Sequence, residues 1–391
     1  MSALVGGLPS VQLSDWVVAS FGSGWSQPVD VLAVGDHVFL DDGLIVLEVT
    51  AREAAGLRCR VRHGGLLHGR KGISAPAASV ALPAFTDKDR ADLDLGLALG
   101  VDWVAVSFVR SAADLQPVRE RIAAAGADTP ILAKIERREA VANLDEIVAA
   151  ADGILIARGD LGIELPLHEV PVVQKQIIAR CNDLGKPVIT ATQMLESMTR
   201  NPMPTRAEVS DVANAIFDGT DAVMLSAETA IGEFPIEATR TMAQIAEWTE
   251  AHLDYVALLE RRLRHHATTI TDAISQGAAE IAADLDVRAI LCSTSSGTTA
   301  RMVSRMRPRA PIVAATTRAE TARRLCLVWG VQPLLVPYTQ ETDAMLRSTV
   351  EGARRAGWVA AGDLVVIASG VHIGSPGGTN LIKVERVEAA T

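Results

Sequence analysis

The chain has 391 residues, 49% hydrophobic and 21% charged, a composition that excludes wholesale disorder and repetitive fibres. Forty-seven acids against 37 bases give a formal charge of −10, which repels nucleic-acid backbones and anionic lipid. At one domain per roughly 100–200 residues the length predicts two or three domains, and no apolar run reaches the ~18 residues of a membrane-spanning helix.

The first basic side chain is Arg52, with six acids ahead of it, a pattern that predicts no targeting leader. Cys59, Cys181, Cys292 and Cys326 have neither disulfide-framework nor zinc spacing, so a reducing cytoplasm is the expected setting. The eight histidines form no ligand pattern, and the pair His265-His266 would point apart on a helix.

Residues 29–83 read as β structure. Val38 to Val49 is apolar around Asp41-Asp42-Gly43, whose Asp-Gly pair signals a hairpin turn. Leu57, Cys59 and Val61 alternate with Arg58, Arg60 and Arg62, the period of a half-buried strand with a solvated basic face. From Thr86 onward, short apolar strands beginning at Val101, Ile131, Ile154, Val188 and Ala222 alternate with helical segments, a spacing that predicts βα units and a parallel sheet or barrel. Glu169 to Leu184 is a helix stopped by Gly185 and Pro187, and Thr205 to Glu208 is a capping box opening another. Met194, Met198 and Met203 are expected as core filler. One long helical pattern runs from Ile236 to the charged stretch beginning at Glu260, where a domain boundary is expected. Beyond it, strands at 289–292, 312–315, 331–336 and 364–368 with helices between predict a doubly wound domain.

Polar and ionisable residues follow every strand of the middle stretch: Ser107, then Lys134 and Glu136, then Arg158-Gly159-Asp160, then Thr192, then Ser226 and Glu228. In a βα barrel those positions share one rim, the face that carries active sites. Lys134 and Glu136 lie two apart on a strand and so on one face. With Asp160 they suit a phosphate and a magnesium ion, which one or two carboxylates hold; a rim ion pair is the alternative. Thr192, Ser226 and Glu228 could position or exchange protons with a small oxyacid, the alternative being hydroxyls that only satisfy backbone groups. The loop 293–299, rich in hydroxyls, offers Thr294, Ser296, Thr298 and Thr299 to a phosphate, or else serves as an ordinary helix cap.

These residues resemble the pyruvate kinase family. The resemblance is carried by Ala133-Lys134-Ile135-Glu136, Asp152 to Glu164, Lys186 to Met198, Asn201 to Glu208 and Asp211 to Thr229, and more weakly by Gly35 to Gly43, Arg70-Lys71-Gly72 and the C-terminal stretch. It implies an α/β fold: a small β domain of the inserted type at 1–83, an incomplete (β/α)8 TIM barrel at 84–260, and a C-terminal doubly wound α/β domain of regulatory type at 261–391. The implied reaction moves the phosphoryl group of phosphoenolpyruvate to ADP, giving pyruvate and ATP. By match, Lys134 steadies the transferring group, Glu136 and Asp160 bind magnesium or manganese, and Gly159, Asp160 and Thr192 hold substrate. Ser226 and Glu228 belong to the proton path. The family is generally oligomeric, so a homo-oligomer is expected, with neither nucleic acid nor membrane as partner.

The departures from the family are specific. Five of the eight strands of such a barrel can be written from this sequence, and the family's potassium ligands fall outside it. Ser226-Ala227-Glu228 replaces Ser-Gly-Glu, a change expected to be tolerated. Ser295 stands where members regulated by sugar phosphates often carry a basic residue, against that effector. A non-catalytic relative or fragment, and another magnesium-dependent barrel enzyme acting on a pyruvate-like enolate, are the competing readings.

Overall fold

The computed structural model describes residues 10–13, 16–19, 32–41, 43–53, 56–68, 72–76, 84–264, 267–339, 341–370 and 378–389. Asp42, Arg70, Lys71 and the pair at 265–266 lie outside them.

The first unit is antiparallel. Strands β1 (Ser10–Leu13), β2 (Trp16–Ala19), β3 (His37–Leu40), β4 (Ile45–Glu53), β5 (Gly56–His63), β6 (Gly65–His68) and β7 (Ile73–Ser74) form a sheet ordered β2-β5-β4-β3-β7, with β1 paired to β6 beside it. The expected hairpin joins β3 to β4, and its turn needs left-handed backbone at Asp41 and Gly43. Val38, Leu47, Val49, Leu57 and Cys59 form the core. Arg58 and Arg62 take the wet face of β5, paired with Glu53 and Glu48 at 2.5 Å each.

The middle unit alternates strand and helix: α1 (Asp87–Ala98), β8 (Val104–Val106), α2 (Gln116–Ala124), β9 (Ile131–Ile135), α3 (Arg138–Ala142), α4 (Leu144–Ala150), β10 (Gly153–Ala157), α5 (Arg158–Glu164), α6 (Val170–Asp183), β11 (Val188–Ala191), α7 (Arg206–Asp218), β12 (Ala222–Met224), α8 (Ala227–Ala230) and α9 (Pro235–Ala251). All five strands are parallel and lie in sequence order, β8 to β12. Ile131, Ala133, Ile135, Ile154, Ile156 and Val188 pack against the helices, and Leu132, Leu155 and Ile189 alternate with them onto the other face. Two aspartates stitch the amino ends of the strands. Asp152 accepts from the Ile131 amide at 2.9 Å, and Asp221 from the Val188 amide at 3.0 Å.

Three expectations about elements are corrected. The first of these strands begins at Val104 and not Val101, because the Val101 amide closes on the Gly96 carbonyl of α1 and the ladder to β9 starts with the Val104 amide. The long helix after Ile236 is two, since α9 stops at Ala251 and α10 (Tyr255–Leu263) starts again on the Asp254 side chain, which accepts from the Ala257 amide. Met194 and Met198 are core, but Met203 is 74% exposed.

The last unit comprises α11 (Ile270–Asp284), β13 (Ala289–Ser293), α12 (Thr298–Ser304), β14 (Ile312–Thr316), α13 (Ala319–Leu325), β15 (Val331–Leu335), α14 (Thr342–Arg355), β16 (Leu364–Ser369) and β17 (Leu381–Arg386). Its sheet runs β15-β14-β13-β16-β17, with apolar clusters on both faces, so it is a three-layer α/β unit. The antiparallel edge strand β17 escaped the sequence reading because its exposed face carries Lys383 and Glu385, the charged guard of an edge strand.

Arg307 joins the two α/β units. Its guanidinium lies 3.1 Å from Asp221, donates to the Asn182 side chain and the Gly219 carbonyl, and stacks on Trp329; both charged partners are almost fully buried. Nearer the surface, Arg318 and Arg324 pair with Asp128, and Arg323 with Asp102. No helix among the described residues is long and apolar enough to cross a membrane.

Candidate active site

The carboxyl ends of the five parallel strands are tied together by a chain of polar contacts. Lys134, near the end of β9, donates to the Ser107 hydroxyl beyond β8 at 2.8 Å and lies 2.9 Å from Glu136 Oε2. Glu136 is only 1% exposed, and its Oε1 accepts from the Phe108 amide at 2.6 Å. Phe108 takes left-handed backbone there, which aims its N–H at the carboxylate.

Burial pushes the Glu136 carboxyl up from its ordinary value, Lys134 pulls it back, and the nearby negative charge of Asp160 pushes it up again. Beyond the Lys134 ammonium, Oε2 has no hydrogen-bond donor. A buried carboxylate with one ammonium partner, in the field of a second carboxylate, is a site whose negative charge a divalent cation would offset. The fit is to a hard, oxygen-loving ion held by two protein carboxylates and its own water. Among the described residues no group of three or more His, Cys, Asp or Glu forms a cage.

Residues 158–160 open α5 directly from β10. The Gly159 amide donates to Thr192 Oγ1 at 2.6 Å, and that hydroxyl donates to the Ala191 carbonyl. Thr192 and Gln193 both have left-handed backbone, with φ of 70° and 53°. For a β-branched residue this conformation costs about 1–3 kcal/mol and needs its surroundings to impose it.

Ser226 and Glu228 follow β12. The Glu228 side chain is fully buried, and its two oxygens accept from the Leu195 amide at 2.9 Å and the Ser226 amide at 2.7 Å. Glu228 is therefore a bracket between the β11 and β12 loops, with no exposed oxygen for exchange with solvent. Ser226 stays partly exposed.

Beside this rim a cavity of about 870 Å3 runs along β8, with Trp103, Ser107, Phe108, Glu136 and Asp160 in its wall and Phe39, Gly72 and Ile73 of the first unit opposite. Sequence reasoning missed three of the groups here. Arg158 was noted at its strand end without a role, yet it reaches the carbonyls of the Thr192 turn and pairs with Asp211 at 2.7 Å. Half-buried Arg137 pairs with buried Glu164 at 2.9 Å in the cavity wall. The only signal for Arg158 was its place immediately before Gly159-Asp160.

In the last unit Thr294, Ser296, Thr298 and Thr299 come together around a cavity of about 140 Å3. Thr294 accepts from the Gly297 amide, Ser296 bonds Thr298, and Thr299 bonds Thr379. The four cysteines are free, three of them buried.

The family model described as "Pyruvate kinase, barrel domain" matches residues 24–239, and "Pyruvate kinase, alpha/beta domain" matches 272–385. Curated proteins named Pyruvate kinase are similar along most of the chain. That of Geobacillus stearothermophilus is 54% identical over 359 residues, covering 91% of this chain and 61% of its own length. That of Clostridium acetobutylicum is 46% identical over 355 residues, 90% of this chain and 75% of its own. That of Sporosarcina psychrophila is 46% identical over 367 residues, 93% and 63%. The chain thus spans about three fifths of the Geobacillus and Sporosarcina relatives. With more than half of its residues matched to the barrel model and three quarters of the Clostridium protein covered, the chain belongs to the pyruvate kinase family.

Proposed function

We propose that the rim of the five-stranded parallel sheet is the phosphoryl-transfer site of a pyruvate kinase, acting on phosphoenolpyruvate and ADP. The enol-phosphate P–O bond breaks, a P–O bond to the terminal oxygen of ADP forms, and the enolate carbon takes a proton to give pyruvate. Such transfers depend on positioning and charge neutralisation. Lys134 offsets charge on the moving phosphoryl oxygens, the backbone at Gly159 and Asp160 receives substrate oxygens, and Thr192 Oγ1 aligns the three-carbon unit. Ser226 lies on the proton route, with Glu228 holding its amide in place. Magnesium or manganese, held by Glu136 and Asp160, would supply further charge neutralisation when bound. The observation that carries this reading is the buried Glu136 carboxylate 2.9 Å from the Lys134 ammonium with the Asp160 charge close by.

The finer architecture belongs to the same proposal. The sheet is read as five strands of a (β/α)8 barrel, with units at 1–83, 84–260 and 261–391, the last junction falling inside α10. A homo-oligomer in the cytoplasm, potassium as a further cation by family resemblance, and a phosphate-bearing effector at the 294–299 loop complete it. A second reading, a non-catalytic relative, is favoured by one observation: among the described residues β8 and β12 each have a strand neighbour on one side only.

Pyruvate release from phosphoenolpyruvate and ADP, with magnesium and potassium supplied, decides between them. Release that needs all four components supports the catalytic reading, and none over a full range of substrate supports the second.

A further inference from the structure

Thr192 sits in a backbone conformation that a β-branched residue does not adopt unaided, so something nearby must hold it. The contacts point to one side chain. The Arg158 guanidinium donates to three consecutive carbonyls of that turn: Ala191 (Nε, 3.3 Å), Thr192 (Nη2, 2.8 Å; Nε, 3.3 Å) and Gln193 (Nη2, 3.4 Å). It also donates to the Met194 sulfur at 2.8 Å. Nη1 is anchored on Asp211 at 2.7 Å and Gln174 at 3.3 Å, and the Arg158 side chain is 10% exposed. A planar fork with five donors can address several carbonyls while one edge holds a carboxylate; a lysine cannot.

The next residue completes the grip, since the Gly159 amide holds the Thr192 hydroxyl. One dipeptide therefore fixes both the backbone and the side chain of Thr192, and the same dipeptide leads into Asp160. We propose that Arg158, backed by Asp211, is a positioning residue for the transfer reaction: it holds the 191–193 turn so that the Thr192 hydroxyl and the amides at 159–160 keep a fixed separation. This inference rests on the phosphoryl-transfer reading above. Arg158 touches neither substrate nor cation in this scheme and acts through Thr192.

The test is a double-mutant cycle on the full chain with Arg158→Lys, Thr192→Ala and the pair, followed by pyruvate release and thermal melting. Arg158→Lys is expected to lower kcat/KM on the order of 10²-fold, the cost of about 1 Å of misplacement, while the melting transition is kept. The double variant should be no slower than the slower single, because Arg158 has nothing left to position once the hydroxyl is gone. Losses that multiply, or full activity in Arg158→Lys, overturn the inference. Should Arg158→Lys fail to fold, Asp211→Asn keeps the fork and weakens its anchor; a smaller loss, absent in the Thr192→Ala background, supports the inference, and no loss overturns it. If the unaltered chain releases no pyruvate, the function reading has failed and a crystal structure of Arg158→Lys decides this one: Thr192 leaving left-handed backbone supports it, and an unchanged turn overturns it.

Discussion

The two ends of the five-stranded parallel sheet are both rich in charge, yet they use it differently. At the amino ends every charge described here has a matched partner. Asp221 takes the Val188 and Trp329 amides and the Arg307 guanidinium, Asp152 takes the Ile131 amide and Arg119, and Asp102 and Asp128 take arginines of the last unit. At the carboxyl ends the buried Glu136 has the Lys134 ammonium as its partner and feels the charge of Asp160 beside it, and burial pushes its carboxyl up. Charge by itself does not mark a site; a second negative charge crowding a buried carboxylate does. This is the division expected of a βα sheet, with stability at one end and chemistry at the other.

Substitutions sharpen that contrast. The largest effect is expected for Asp221→Ala, which strands the buried Arg307 and should cost about 3–5 kcal/mol of stability in a denaturant titration. A loss under 1 kcal/mol would mean that the amino end is not the stabilising one. Lys134→Met should weigh more on rate than on fold, lowering kcat about 10²–10³-fold if it removes the charge proposed to face the phosphoryl group, while the loss of the partner of buried Glu136 lowers melting by less than Asp221→Ala does, because Lys134 is itself partly solvated. Glu228→Gln tests a fully paired carboxylate at the carboxyl end: it keeps one accepting oxygen and leaves one buried amide poorly met, at about 1–3 kcal/mol by thermal unfolding. Arg323→Ala removes an ion pair open to solvent, and its effect should stay within about 1 kcal/mol and vanish in high salt.

The succession of parallel βα units and the polar residues at their carboxyl ends were legible in the sequence because period and position suffice: Lys134 and Glu136 lie two apart and so share a face. The amino-end node was not, because Arg307 reaches Asp221, Asn182 and Gly219 only after two α/β units meet. The Thr192 turn was also hidden, since neither threonine nor glutamine signals left-handed backbone. Glu228 was read as part of a proton path by its match to the family; that its carboxylate is fully buried and bonded to two amides was not legible from the sequence.

The account stands on Glu136 and Asp160 meeting at one cation. Titration of manganese, followed by its electron paramagnetic resonance signal, into the unaltered chain and into Glu136→Gln and Asp160→Asn tests this without any turnover. Binding in the unaltered chain that is weakened in both variants is the predicted result, and equal binding in all three would contradict it.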